Sequence, residues 1–147
     1  MALIAETSIS LRYFGDDLIP DALTSALGKP PTKSTTKGEL IPTKAAGGTR
    51  VARSGSWLYS VERREPGDLD GQIKELFGAL TEDLSVWRAL AAKYKPDLYV
   101  GLFMKETNEG IEISAECLGI LSSRGISLSL DIYGPIESRK LGPARGE

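Results

Sequence analysis

The chain has no histidine and a single cysteine, Cys117. Without imidazole it lacks the commonest general base, the usual partner of a serine or cysteine nucleophile, and the commonest zinc ligand. One thiol cannot close an intramolecular disulfide, and alone it cannot build a zinc or iron–sulfur site. Only an all-oxygen Mg²⁺ or Ca²⁺ site stays open, and no metal or cofactor is expected. Long apolar runs are missing too: none approaches the ~20 residues of a membrane helix. Met1 to Glu6 has neither the basic start nor the apolar length of a signal peptide. With the lone thiol, this predicts a cytoplasmic protein without membrane association.

What is present suits one globular domain. The 147 residues are 41% hydrophobic and 26% charged. A chain of this length buries roughly two thirds of its unfolded surface, enough for a core without a metal or disulfide.

Hydrophobic period places the elements. Ile9, Leu11 and Tyr13 alternate with Ser8, Ser10 and Arg12, which predicts a half-buried strand over Thr7 to Phe14. Pro20 opens a helix whose stripe is Leu18, Ala22, Leu23, Ala26 and Leu27, closed by Gly28. A second strand carries Trp57, Tyr59 and Val61 on one face. Asp68 caps the strongest helical pattern, Leu69 through Tyr94, with a kink at Gly78 and Thr81 and with Thr81 capping the second piece. Leu98, Val100, Leu102 and Met104 back onto Tyr99 and Phe103, apolar on both sides, which predicts an interior strand. Ser114 caps a short helix with Cys117, Leu118 and Leu121 inward. The last strand sets Ile126, Leu128, Leu130 and Ile132 inward against Ser127, Ser129, Asp131 and Tyr133 outward.

This order predicts an α+β domain over residues 1–134: a two-layer sandwich with a four- to five-stranded, mostly antiparallel sheet and helices on one face, a ferredoxin-like variant. Residues 135–147, rich in Gly, Pro and charge, are expected to form a flexible tail.

Charge is unevenly placed. Residues 28–56, expected as one long loop with a short strand near Arg50 to Arg53, hold Lys29, Lys33, Lys37, Lys44, Arg50 and Arg53 against the single acid Glu39. The whole chain is −2, so the remainder is acidic. A Gly-, Ser- and Thr-rich basic loop can wrap an anion with ammonium groups, hydroxyls and backbone N–H groups. Neither phosphate motif is present: no Gly-Lys-Ser or Gly-Lys-Thr follows a strand, and Gly47-Gly48 is an isolated pair. Nucleic acid is disfavoured as a partner by the acidic whole and the lack of a broad basic face. The candidate ligand-binding residues are Lys33, Lys37, Glu39, Arg50, Arg53, Trp57, Tyr59, Asp131 and Tyr133. Asp131 is the carboxylate of the last strand, beside Tyr133, and needs a partner if its face is covered. Cys117, on an apolar helix side without a histidine, reads as a buried, inert thiol.

Further features form one ordered series: Leu27-Gly-Lys-Pro-Pro-Thr32, Lys37-Gly-Glu39, Trp57 at the head of a strand, Ser114-Ala-Glu-Cys-Leu-Gly119 and Leu128-Ser-Leu-Asp-Ile-Tyr133. By this series the chain resembles a bacterial family known only as domain of unknown function 4279. Such proteins often carry an aromatic residue between the first two pieces, where this chain has Lys33-Ser-Thr-Thr36. The resemblance implies a small bacterial α+β protein and no catalytic residues.

The reading is a non-catalytic binding or interaction module that recognises a small anion or a protein partner through the 28–56 segment, in an immunity-type or adaptor role. Two alternatives stand beside it. One is a histidine-independent enzyme using Lys37 or Lys44 with Asp131 or Glu39. The other is a structural homodimer formed through an exposed sheet edge.

Overall fold

The computed structural model describes residues 2–136. A two-residue strand β1 (Ala2–Leu3) precedes β2 (Glu6–Gly15), on which Thr7, Ile9, Leu11 and Tyr13 are buried and the alternate residues turn to the other side. Helix α1 (Pro20–Leu27) starts at its proline and stops at Gly28, whose φ of 98° is left-handed. Two further helices, α2 (Leu69–Gly78) and α3 (Leu84–Tyr94), replace the one kinked helix expected. Asp68 caps α2 by accepting from the Gly71 N–H at 3.1 Å. The cap of α3 is Asp83, which accepts from the Ser85 N–H, and not Thr81. Thr81 instead ties the linker down: its N–H donates to the Leu27 carbonyl, and its hydroxyl oxygen accepts from the Asp83 N–H. That leaves Thr81 outside the helix it was expected to start.

Residues 28–56 also depart from the expected loop. They form three short strands, β3 (Lys33–Thr35), β4 (Leu40–Pro42) and β5 (Thr49–Val51), before β6 (Gly55–Ser60). Strands β4 and β5 pair as an antiparallel hairpin. With three mostly exposed residues each, they bury no alternating face, so hydrophobic period could not announce them. Backbone bonds hold them: Ala52 donates to Glu39 and Gly38 donates to Ala52. Gly38 has φ 90°, which its lack of a side chain permits.

The main sheet runs β3-β6-β2-β7-β9, with β7 (Asp97–Phe103) and β9 (Ser127–Tyr133). Three ladders are antiparallel and the β7–β9 ladder is parallel. The parallel pair requires a crossover, supplied by α4 (Ala115–Ser123), capped by Ser114 on the Cys117 N–H. Strand β7 lies between β2 and β9, as its two apolar sides predict. A small strand β8 (Glu109–Gly110) pairs with β1. The fold is the expected α+β sandwich. It varies the ferredoxin-like plan, in which a third strand splits each parallel pair, because β7 and β9 are direct neighbours.

One cluster forms the core. Ile9, Leu11, Tyr13, Trp57, Leu98, Val100 and Leu102 from one sheet face meet Leu23, Leu27, Ile73, Leu76, Phe77, Trp87, Cys117 and Leu121 from all four helices. Burying a large apolar side chain is worth roughly 1.5–3 kcal/mol, so this layer drives the fold. Strand β9 is the exception. Ile126 is buried as expected, but Leu130 and Ile132 are 45% and 60% exposed, so the helix layer leaves this part of the edge strand open. Residues 137–147, most of the expected flexible tail, lie outside the described residues.

Candidate functional site

The face of the sheet away from the helices is the functional question. Register places Lys33 and Thr35 of β3, Ser56 and Leu58 of β6, Arg12 and Phe14 of β2, Tyr99 and Phe103 of β7, and Asp131 and Tyr133 of β9 on that side. At the β3 end the β4–β5 hairpin rises beside this face. Between them runs a groove of about 340 Å³. Its apolar wall is Phe14, Ile41, Ala52 and Leu58, and its charged rim is Lys33, Arg50 and Arg53. Among the described residues no carboxylate lines it. A second depression around Lys37 and Gly38 shares Arg50, Ala52 and Arg53. Among the described residues, Lys33, Arg50 and Arg53 have no ion-pair partner, whereas Lys37 pairs with Asp16 at 3.2 Å.

Local bonds fix this geometry. Thr35 donates its hydroxyl to the Ser54 carbonyl at 3.0 Å and meets the Ser56 hydroxyl at 2.8 Å, clamping β3 to the start of β6. Glu39 accepts from the Thr36 N–H, which shapes the turn into the hairpin. Glu39 is thus a turn-former and does not line the groove. Three cations facing one concavity with no acid among its described lining residues reinforce one another's field, and that field favours an anion.

At the other end of the face is a packed polar and aromatic network. Tyr99 and Tyr133 both donate to Asp131 Oδ2, at 2.5 and 2.7 Å. These two bonds hold the Asp131 carboxyl below its usual range, and the same contact raises the Tyr99 phenol. The Phe103 and Tyr133 rings stack with centroids 4.8 Å apart. Arg63 covers Phe103 at 4.5 Å and pairs with Glu6 at 2.8 Å. Arg12 lies 4.5 Å above Tyr99. Asp131 therefore finds its partners in two tyrosines, one of them its strand neighbour Tyr133.

Apart from Glu39, which shapes the turn at Thr36, the expected site residues fall into three groups. Lys33, Arg50 and Arg53 line the groove, with Lys37 in the adjoining depression. Trp57 and Tyr59 lie on the opposite face, stacked on each other at 5.9 Å. Trp57 is fully buried, and its indole N–H donates to Thr24 Oγ1. Asp131 and Tyr133 sit on the far edge strand, three strand spacings or roughly 14 Å from β6. The groove also takes in residues that the sequence reading passed over: Phe14, Ile41, Ser54, Ser56 and Leu58. Phe14 had a signal. It shares the polar side of its strand with Ser8, Ser10 and Arg12, and it remains 47% exposed. Cys117 is fully buried, and burial raises its thiol pKa. Among the described residues no three His, Cys, Asp or Glu side chains converge as a metal ligand set, and no helix is long and apolar enough to cross a membrane.

No curated protein and no solved structure matches the chain. A family model does, over residues 5–135, and this nearly complete span shows that the chain belongs to the family described as Domain of unknown function (DUF4279).

Proposed function

We propose that the protein is a binding module whose groove between the β4–β5 hairpin and the open sheet face takes an anionic ligand, either a small molecule or an acidic group presented by a protein partner. The observation that carries this reading is the convergence of Lys33 of β3 with Arg50 and Arg53 of the β5–β6 stretch on one groove that no carboxylate among the described residues lines. Its apolar wall of Phe14, Ile41 and Leu58 suits a ligand with an apolar or planar body behind its charge. Arginine adds a flat, two-pronged donor set that fits carboxylate and phosphate oxygens.

The test is a thermal-shift and calorimetric screen of inorganic phosphate, pyrophosphate, citrate and aromatic carboxylates. The wild-type melting temperature is expected to rise with at least one of them. The rise should be lost in Arg50→Ala/Arg53→Ala, which removes two exposed side chains and leaves the fold intact. It should survive Lys37→Ala, which removes the cation already held by Asp16. Absence of any shift, or a shift that persists in the double variant, would overturn the assignment.

A further inference from the structure

The second sheet edge points to a different contact. Among the described residues, strand β9 pairs with β7 on one side only. Ser127 donates its N–H to Pro96 and Tyr133 accepts from Met104, so the odd-numbered residues of β9 bond toward β7. The N–H and C=O groups of Leu128, Leu130 and Ile132 point outward. Edge strands are normally blunted by lysine, proline, a bulge or extreme shortness. β9 has seven residues, Ser-Leu-Ser-Leu-Asp-Ile-Tyr, with no lysine, no proline and an unbroken register. The opposite edge, β3, is three residues long and carries Lys33. On the helix side of β9, Leu130 and Ile132 are 45% and 60% exposed, and Leu118 of the neighbouring α4 is 48% exposed.

We infer that β9 is a self-association edge, and that two copies of the chain join by antiparallel β9–β9 pairing about a twofold axis at Leu130. The register follows from chemistry. In an antiparallel pair, facing residues must both point their backbone groups inward or both point them away. Centring on Leu130 satisfies this: Leu130 meets its own copy, and Leu128 meets Ile132 of the second copy, each pair able to exchange both bonds. Ser129 faces Asp131, and Ser127 faces Tyr133. Apolar residues thus meet apolar ones on the helix side, and on the open side no like charges face each other. Centring on Asp131 would oppose two carboxylates, and centring on Ser129 would run the strand ends out of register. The Leu130 register uses all seven residues and joins two five-stranded sheets into one continuous sheet. The contact is isologous, so it closes at two copies and leaves both β3 edges outward.

The full-length chain tests this by sedimentation equilibrium across the micromolar range. A dimer is expected for the wild type. Leu130→Lys, which puts two ammonium groups face to face at a half-exposed site, should sediment as a monomer with unchanged far-ultraviolet circular dichroism. Position is read by cross-linking. The axis brings the two Leu130 Cα atoms to about 5.5 Å, within disulfide range. Leu130→Cys should therefore give a covalent dimer under mild oxidation, while Ser122→Cys on α4 should not. A monomeric wild type, a dimer that survives Leu130→Lys, or cross-linking at both positions would overturn the inference. The anion screen above is unaffected by any of these outcomes, since the groove lies at the other end of the sheet.

Discussion

Arg12 and Asp97 stand directly opposite each other on β2 and β7, and the guanidinium grips the carboxylate through two hydrogen bonds of 2.8 and 2.7 Å. Ser129 adds a third bond to Asp97 at 2.7 Å. Burial works against the Asp97 charge, but the bonds from Arg12 and Ser129 outweigh it and hold the carboxyl below its usual range. A lowered carboxyl contributes stability that is present above its unfolded value, near 3.9, and is lost as pH falls through the lower folded value. Asp97→Asn should cost about 1–2 kcal/mol at neutral pH. Melting temperatures from pH 7 down to 2 should show the gap between wild type and variant closing below about pH 4. A gap that is constant with pH would refute the charge as its source.

Gln72 is fully buried, yet its side chain is satisfied on both ends. Its amide oxygen accepts from the Thr7 hydroxyl at 2.6 Å, and its amide nitrogen donates to the Thr7 and Glu62 carbonyls. Gln72→Met keeps the volume but takes the acceptor from the Thr7 O–H, whose oxygen still accepts from the Asp68 N–H, and takes the donor from the Glu62 carbonyl. The expected loss is about 1–3 kcal/mol, or roughly 3–10 °C in melting temperature. Because both ends of one bond are involved, Thr7→Val/Gln72→Met should cost less than the sum of the single changes. Strict additivity in denaturant melts would show that the two side chains act independently.

Tyr13 presents the opposite case. It is fully buried, its ring meets Trp57 and Tyr94 edge-on, and its hydroxyl has no hydrogen-bond partner among the described residues. Burial pushes its phenol pKa far up. Tyr13→Phe keeps the ring contacts and removes the unpaired group, so stability should hold or rise by about 1 kcal/mol. Urea unfolding decides it: a clear loss would mean that the hydroxyl has a partner in solution.

Gly55, at the head of β6, has no room for a methyl group. An added Cβ would lie 2.5 Å from the Leu18 carbonyl oxygen and 2.8 Å from that of Gly15, both backbone atoms. Gly55→Ala should therefore destabilise by about 1–3 kcal/mol through displaced backbone. Gly78→Ala, where nothing lies within 4 Å, should be neutral or stabilising in the same thermal assay. Equal effects at the two sites would contradict the steric account.

The sequence made the core legible because the core obeys a period. Leu11, Trp57, Leu98 and Leu121 were all placed on their buried sides by alternation or helical spacing. The same alternation sets Phe14, Tyr99, Phe103 and Tyr133 on one common face. The groove was legible only as charge. Lys33, Arg50 and Arg53 drew attention by composition, while Ile41 and Leu58 reach it through pairings that no local pattern encodes. Trp57 shows the converse: it follows the basic segment in the chain, yet strand pleat turns it to the other side of the sheet. The exposure of Leu130 and Ile132 was hidden for a similar reason. Alternation tells which face a residue points to, but not whether a helix reaches far enough to cover it.

The β4–β5 hairpin has a dynamic consequence. Its two strands offer three mostly exposed residues apiece, and the backbone bonds around Ala52 join the hairpin's own two arms to each other and not to the main sheet. So small a unit opens to solvent at far lower free energy than the β2–β7 ladder, and its amide protons should exchange with deuterium long before those of Leu11 or Val100. Anything lodged between hairpin and sheet must hold that flap shut. Slowed exchange at Gly38, Val51 and Ala52 would then report occupancy from a crude mixture, before the occupant has been identified.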